Sequence, residues 1–235
     1  MVNYDEAILR SHRIQTAAPW PVLHQAVRIA MYDEYAARAF YTRVVEAFGQ
    51  RPPFDSIVVA EARHIEVLGA VCERYGIPRP INPYPAEATV APTWRANLER
   101  AVAGEVANVQ LYQYLLAFTV APDVRQTFLS LQAASRDNHL PAFRTALEAA
   151  VALEAYHAQR GVAPTQAYVR HGPLTDALER GLALLGRQSG AFGLASSLVR
   201  AAHPAMIAGL LVGGAAVHYL RQSTSPSNLS TTKEN

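Results

Sequence analysis

From residue 20 to residue 153 the apolar positions recur in alternating steps of four and three, the spacing of one face of an α-helix. The first predicted helix, about Pro21 to Phe48, carries the stripe Leu23, Val27, Ala30, Glu34, Ala37, Tyr41, Val44 and Phe48. Pro21 suits its first turn, where a missing N–H costs nothing, and Gly49 with Pro52-Pro53 ends it. A second helix, about Phe54 to Tyr75, aligns Ile57, Glu61, His64, Leu68, Val71 and Tyr75, with Asp55 or Ser56 as its cap and Gly76 as its terminator. A third, about Thr93 to Phe118, aligns Trp94, Leu98, Ala101, Glu105, Asn108, Tyr112 and Leu115. The fourth, about Val124 to Leu153, is capped by Asp123 and faces Phe128, Leu131, Ser135, His139 and Ala142 inward, with a bend expected at Pro141. Prolines at 78, 80, 83, 85 and 92 make the stretch between the second and third helices a long crossover. The pattern predicts an all-α chain built on a four-helix bundle over residues 20–153.

Five of the stripe positions carry a carboxylate or an imidazole. Glu34, Glu61, His64, Glu105 and His139 occupy apolar faces on four different helices, where an ionised carboxylate is excluded unless it is paired or bound to metal. Glu61 and His64 lie one helical turn apart and project from the same face. Carboxylates and imidazoles pointed into a shared core are how a helical bundle holds two metal ions. The plainer alternative is a set of core polar groups that satisfy one another.

An internal repeat favours the metal reading. Glu34 precedes Tyr41 by seven residues, as Glu105 precedes Tyr112, and His64 and His139 follow their glutamates at comparable distances. Two helix pairs with equivalent ligands would form a site of approximate twofold symmetry. The symmetry breaks at Arg136, which stands where a counterpart of Glu61 would be and is expected to turn outward or pair with Asp137. Tyr41 and Tyr112 are placed to pack, to donate electrons or to hydrogen-bond the groups that hold the metals. His12, His24, His157, His171, His203 and His218 lack matching partners and are read as surface or incidental.

Composition narrows the chemistry. Hydrophobic residues make up 50% of the 235 and charged residues 17%, enough for a sizeable core. A net charge of +2 without a Lys/Arg cluster argues against nucleic-acid binding. Cys72 is the only cysteine, which excludes an intramolecular disulfide or a cysteine-based cluster within one chain and makes it a small core residue. Mixed oxygen and imidazole donors favour iron or manganese. No secretory signal is visible at the N-terminus, and a cytoplasmic location is expected.

These motifs resemble the ferritin-like superfamily. The resemblance is carried by Tyr32-Asp-Glu-Tyr35, Ala60-Glu-Ala-Arg-His64, Glu105-Val-Ala-Asn108 and Ser135-Arg-Asp-Asn-His-Leu-Pro-Ala-Phe143, and is similar to a bacterial and archaeal branch of uncharacterised ferritin-like domains. It implies that Glu34 and His64 hold one metal and Glu105 and His139 the other, with Glu61 bridging. It also implies two iron ions (manganese being the alternative), oxidation of Fe(II) by O2 or H2O2, and assembly into a homo-oligomer. A non-enzymatic iron-storage subunit, a structural membrane-associated protein with a vestigial site, and a hydroxylase-type oxygenase are the rivals.

Beyond the bundle, residues 154–200 read as a linker followed by an amphipathic helix. Residues 201–221 read as an apolar helix containing Gly209-Leu-Leu-Val-Gly213, a spacing of small residues that would permit close helix contact in lipid. Ala205 to Leu220 would extend about 24 Å, short of the roughly 30 Å hydrocarbon core. The segment is either a marginal membrane anchor or a packing helix, and the Ser/Thr/Asn-rich tail from 222 is expected to be disordered.

Overall fold

A computed structural model describes residues 3–163 and 166, and among these it is all-helical, without a strand. The chain divides into two compact units, residues 1–151 and 152–235. The second is described only at its start, where α7 ends and Ala152, Leu153 and Tyr156 pack together. The expected linker from 164 on, the apolar segment 201–221, the tail, and His171, His203 and His218 lie outside the described residues. Among the described residues, no helix is long and apolar enough to cross a membrane.

The helices are α1 (Glu6–Ser11), α2 (Val22–Phe48), α3 (Phe54–Arg74), α4 (Tyr84–Glu87), α5 (Trp94–Phe118), α6 (Pro122–Ala134) and α7 (Leu140–Ala158). A π-helical turn, Ser135–His139, joins the last two. Predicted and observed ends of the first three long helices agree within a residue, but the fourth runs past the expected end at Leu153 to Ala158, into the expected linker, and the caps differ. Among the helix starts described, Thr93 ahead of α5 caps with its side chain, accepting from the Ala96 N–H. Pro21 and Pro53 take the capping positions ahead of α2 and α3, and Ala121 ahead of α6. Asp55 and Asp123 therefore sit one or two residues inside their helices, where a negative charge still favours the exposed N–H groups. Gly49 and Gly76 stop α2 and α3 with φ of 81° and 62°, a left-handed region costly for other residues.

Contacts fix the helix directions. Glu34 meets Tyr112 while Tyr41 meets Glu105, so α2 and α5 are antiparallel. Tyr75 meets Asp123, His64 stacks on His139 and Phe54 packs on Phe143, so α3 runs antiparallel to α6 and its continuation. Glu34 with His64, and Tyr41 with Phe54, make α2 and α3 antiparallel. Tyr112 with Phe128, and the Val109 carbonyl with Gln132, do the same for α5 and α6. Helices α3 and α5 consequently run the same way, which requires the long crossover. That crossover is not wholly irregular, since α4 forms one turn within it.

Two features were not foreseen. The N-terminal arm folds as α1 and joins the core through Ile8 and Leu9. It is held there by a buried ion pair, in which Arg28 donates to Asp5 at 2.6 and 2.7 Å and also to the Pro78 carbonyl. A buried pair of this kind is costly to break from one side, so it fastens the arm, α2 and the crossover together. The second feature is the π turn. Just upstream of Pro141, where a bend was expected, the helix widens into this turn, with the Leu140 N–H donating to the Ser135 carbonyl. Its extra residue shifts the phase of the inward face, so Phe143 is buried in place of the predicted Ala142. His157 is buried rather than at the surface.

Candidate metal centre

The five predicted ligands meet. Glu34 comes from α2, Glu61 and His64 from α3, Glu105 from α5 and His139 from the last position of the π turn. All five are buried. They form two trios, Glu34–Glu61–His64 and Glu61–Glu105–His139, in each of which one donor atom per residue lies within 4.8 Å of the others. Donors about 2 Å from one ion stand about 3–4 Å apart, so each trio is close to the dimensions of a metal site.

Glu61 belongs to both trios through different atoms. Its Oε2 lies 3.1 Å from His64 Nδ1, and its Oε1 lies 3.2 Å from His139 Nδ1. The imidazole rings stack on either side, 5.4 Å between centroids and 18° from parallel. Glu34 Oε2 completes the first trio at 3.1 Å from His64 Nδ1, and Glu105 Oε1 the second at 3.5 Å from His139 Nδ1.

The tyrosines are cross-wired. Tyr41 of α2 donates to Glu105 of α5 at 2.7 Å, and Tyr112 of α5 donates to Glu34 of α2 at 2.5 Å. The seven-residue spacing in the two antiparallel helices thus becomes a reciprocal pair of hydrogen bonds. Tyr112 binds the Glu34 oxygen that the first trio leaves unused, whereas Tyr41 binds Glu105 Oε1, the oxygen nearest His139. Burial and the neighbouring carboxylates push both phenols well above their usual range, so both stay protonated donors.

Burial first, then the charge of Glu61, raises Glu34 to about 7. Burial would also raise Glu61, but Glu34, His139 and His64 beside it outweigh burial and hold that carboxyl low. Burial opposes the charged form of both histidines and is likewise outweighed. Glu34 and Glu61 lift His64 to about 10, and Glu105 and Glu61 lift His139 to about 9.

One of the donors is left unsatisfied, whereas His64 Nδ1 meets both Glu34 and Glu61. His139 Nδ1 is buried beside two carboxylate oxygens, yet no hydrogen bond to it has acceptable alignment. Such misalignment is expected when several donors aim at a common point between them rather than at one another. Oxygen and imidazole donors without a thiolate suit iron or manganese. Arg136 turns to the surface and binds Asp137 through two hydrogen bonds, so its guanidinium stays out of the site.

No protein-family model and no curated protein matches the chain. Among solved structures, it is similar to the crystal structure of hypothetical protein MJ0754 from Methanococcus jannaschii. The identity is 17% and the TM-score 0.49, with 58% of this chain and 85% of that one covered.

Sequence reasoning missed Asp33 and His12. Asp33 lies off the apolar stripe, beside Glu34, and accepts from Asn108 Nδ2 at 2.8 Å. His12, at the left-handed end of α1, brings Nδ1 to 3.8 Å from Asp33 Oδ1. Only the adjacency of Asp33 to Glu34 signalled the first, and nothing in the local pattern signalled the second. Both line a cavity of about 430 Å³ that reaches Glu61 and Glu105.

Proposed function

We infer that the chain is a ferritin-like four-helix-bundle protein that binds two iron ions and oxidises Fe(II) with dioxygen or hydrogen peroxide. The observation that carries this reading is the division of one carboxylate, Glu61, between two trios of donors. A single-ion site has no use for that division, and a satisfied polar core would give His139 Nδ1 an aligned partner, which it lacks. The helix directions support the bundle: two antiparallel pairs whose central members, α3 and α5, run parallel across a long crossover.

Two bound iron ions supply the paired one-electron oxidations that these oxidants require. Two Fe(II) give up two electrons; with two protons these reduce O2 to H2O2, or H2O2 to two waters. Around that chemistry the chain's own groups have separate tasks. Glu61 sets the separation of the two positions through its two oxygens. His64 and His139 act as neutral donors once they lose the protons they hold in the metal-free site. Tyr112 and Tyr41 orient Glu34 and Glu105 by their hydrogen bonds. Three carboxylates against two divalent ions would leave the site slightly positive.

Rapid mixing of anaerobic Fe(II)-loaded protein with O2 or H2O2 tests the reading. Iron oxidation at two ions per chain, much faster than for free Fe(II) and lost in Glu61→Ala, is the expected result. Tight binding of two ions with no acceleration would make the protein an iron-binding subunit rather than an enzyme.

A further inference from the structure

Helix α3 has two faces of different chemistry. One carries Glu61, His64 and Leu68 into the core, where α2 and α6 cover it. The other follows Ser56, Val59, Arg63, Glu66, Ala70 and Glu73 in steps of three and four, and every one of these is exposed. Val59 is 51% exposed, and Val67, at the edge of the same face, 47%. Arg63 and Glu66 lie one turn apart, yet neither pairs with a charged group among the described residues. Arg43 and Glu46, at the same spacing on α2, do bind each other at 3.0 Å. The outward face of α3 therefore presents one cation and one anion that do not satisfy each other, flanked by two valines in water.

We propose that this face is the contact between two copies of the chain, their α3 helices antiparallel about a twofold axis that passes between His64 and Ile65. An axis there makes the face its own complement. Arg63 of each copy meets Glu66 of the other, twice by symmetry. Val59 meets Ala70 and Val67 meets Ala62, so each larger side chain opposes a small one, as packed helices require. The outermost pair, Asp55 with Arg74, is again of opposite charge, and Arg74 also holds Asp123 of its own chain. Moving the axis onto residue 63 or 66 would set like charges against each other, which fixes the register. The 21 residues of α3 extend about 30 Å, and a single helix face is at the small end for a specific interface. Association is therefore concentration-dependent. The inference is independent of the dinuclear reading, because the contact uses the side of α3 opposite Glu61 and His64.

Sedimentation equilibrium of the full chain over a range of concentrations, with mixing of charge variants, tests the proposal. Wild-type chains should associate in multiples of two. Arg63→Glu and Glu66→Arg each turn both symmetry-related contacts into like-charge pairs and should weaken self-association about tenfold or more. Mixed in equal amounts, the two variants should regain an association constant near that of the wild type, since one then supplies only acidic and the other only basic side chains at the contact. Helical circular dichroism establishes that each variant is folded, and if one is not, the other decides alone. A wild type that stays monomeric, or folded variants that associate as tightly as it does, would overturn the interface. Weakened variants that gain nothing on mixing would overturn the pairing of Arg63 with Glu66, and the proposal with it.

Discussion

Metal binding should expel protons, and the number is set by the charge arrangement of the metal-free site. His64 and His139 hold protons to about pH 10 and 9, and Glu34 is half-protonated near pH 7. All must be deprotonated to ligate. Filling both positions at pH 7 then displaces both imidazolium protons and about half a carboxyl proton, roughly two to three per chain. Near pH 8 Glu34 is mostly ionised already, and the number falls to about two. Protons and metal compete, so affinity rises with pH. Between pH 7 and 8 the product of the two binding constants should grow about a hundredfold, worth about 3 kcal/mol. Above about pH 10 the dependence should flatten, because no ligand proton remains to displace. Anaerobic calorimetric titration with Co(II) in buffers of different ionisation enthalpy counts the protons directly. Release of fewer than one proton per chain at pH 7 would mean that the histidines are neutral before metal arrives, and would refute the assigned charge state.

Other expectations follow from the same geometry. Glu61→Ala should lose both ions, whereas His139→Ala should mainly weaken one; metal analysis after dialysis separates them, and loss of a single ion in both variants would contradict the shared carboxylate. Tyr112→Phe frees a Glu34 oxygen and should weaken metal binding about 10- to 100-fold, with Tyr41→Phe acting through Glu105 by a similar factor; unchanged affinity in both would make the tyrosines packing groups alone. The metal-free protein should lose stability as pH rises. The raised imidazoles stabilise the fold fully below about 6.5 and lose that effect as pH passes 9 and 10, at about 1 kcal/mol per pH unit for each group. Glu34 adds a loss in the same direction up to about pH 7, and Glu61, held low, opposes it only as pH falls below about 4.5. Thermal melts of metal-free and loaded protein across this range should diverge toward alkaline pH; parallel curves would contradict the linkage.

The helical stripes were legible because the apolar positions keep a period near 3.6 through all four long segments, and three carboxylates and two imidazoles fall on that period rather than off it. Glu34, Glu61, His64, Glu105 and His139 could be named from that pattern alone. The seven-residue spacing announced Tyr41 and Tyr112, but their exchange of partners was not visible, because it depends on α2 and α5 being antiparallel at one register. The caps differ at Asp55 and Asp123, where Pro53 and Ala121 take the position ahead of the helix and neither aspartate is needed as a cap. The π turn breaks the constant helical phase on which the pattern depends, and it carries Phe143 into the core. Asp5, Arg28, Asp33 and His12 act through contacts distant in sequence, where periodicity carries no information. The burial of Arg28 depends on Asp5, twenty-three residues away, and on the Pro78 carbonyl, fifty residues away.

The central claim is that one carboxylate joins two metal positions. Crystals of the full chain, loaded anaerobically with Fe(II) and measured at the iron absorption edge, address it most directly. Two anomalous peaks are expected, one among Glu34, Glu61 and His64 and the other among Glu61, Glu105 and His139, with Glu61 contributing a different oxygen to each. One peak, or peaks away from these five side chains, would contradict it.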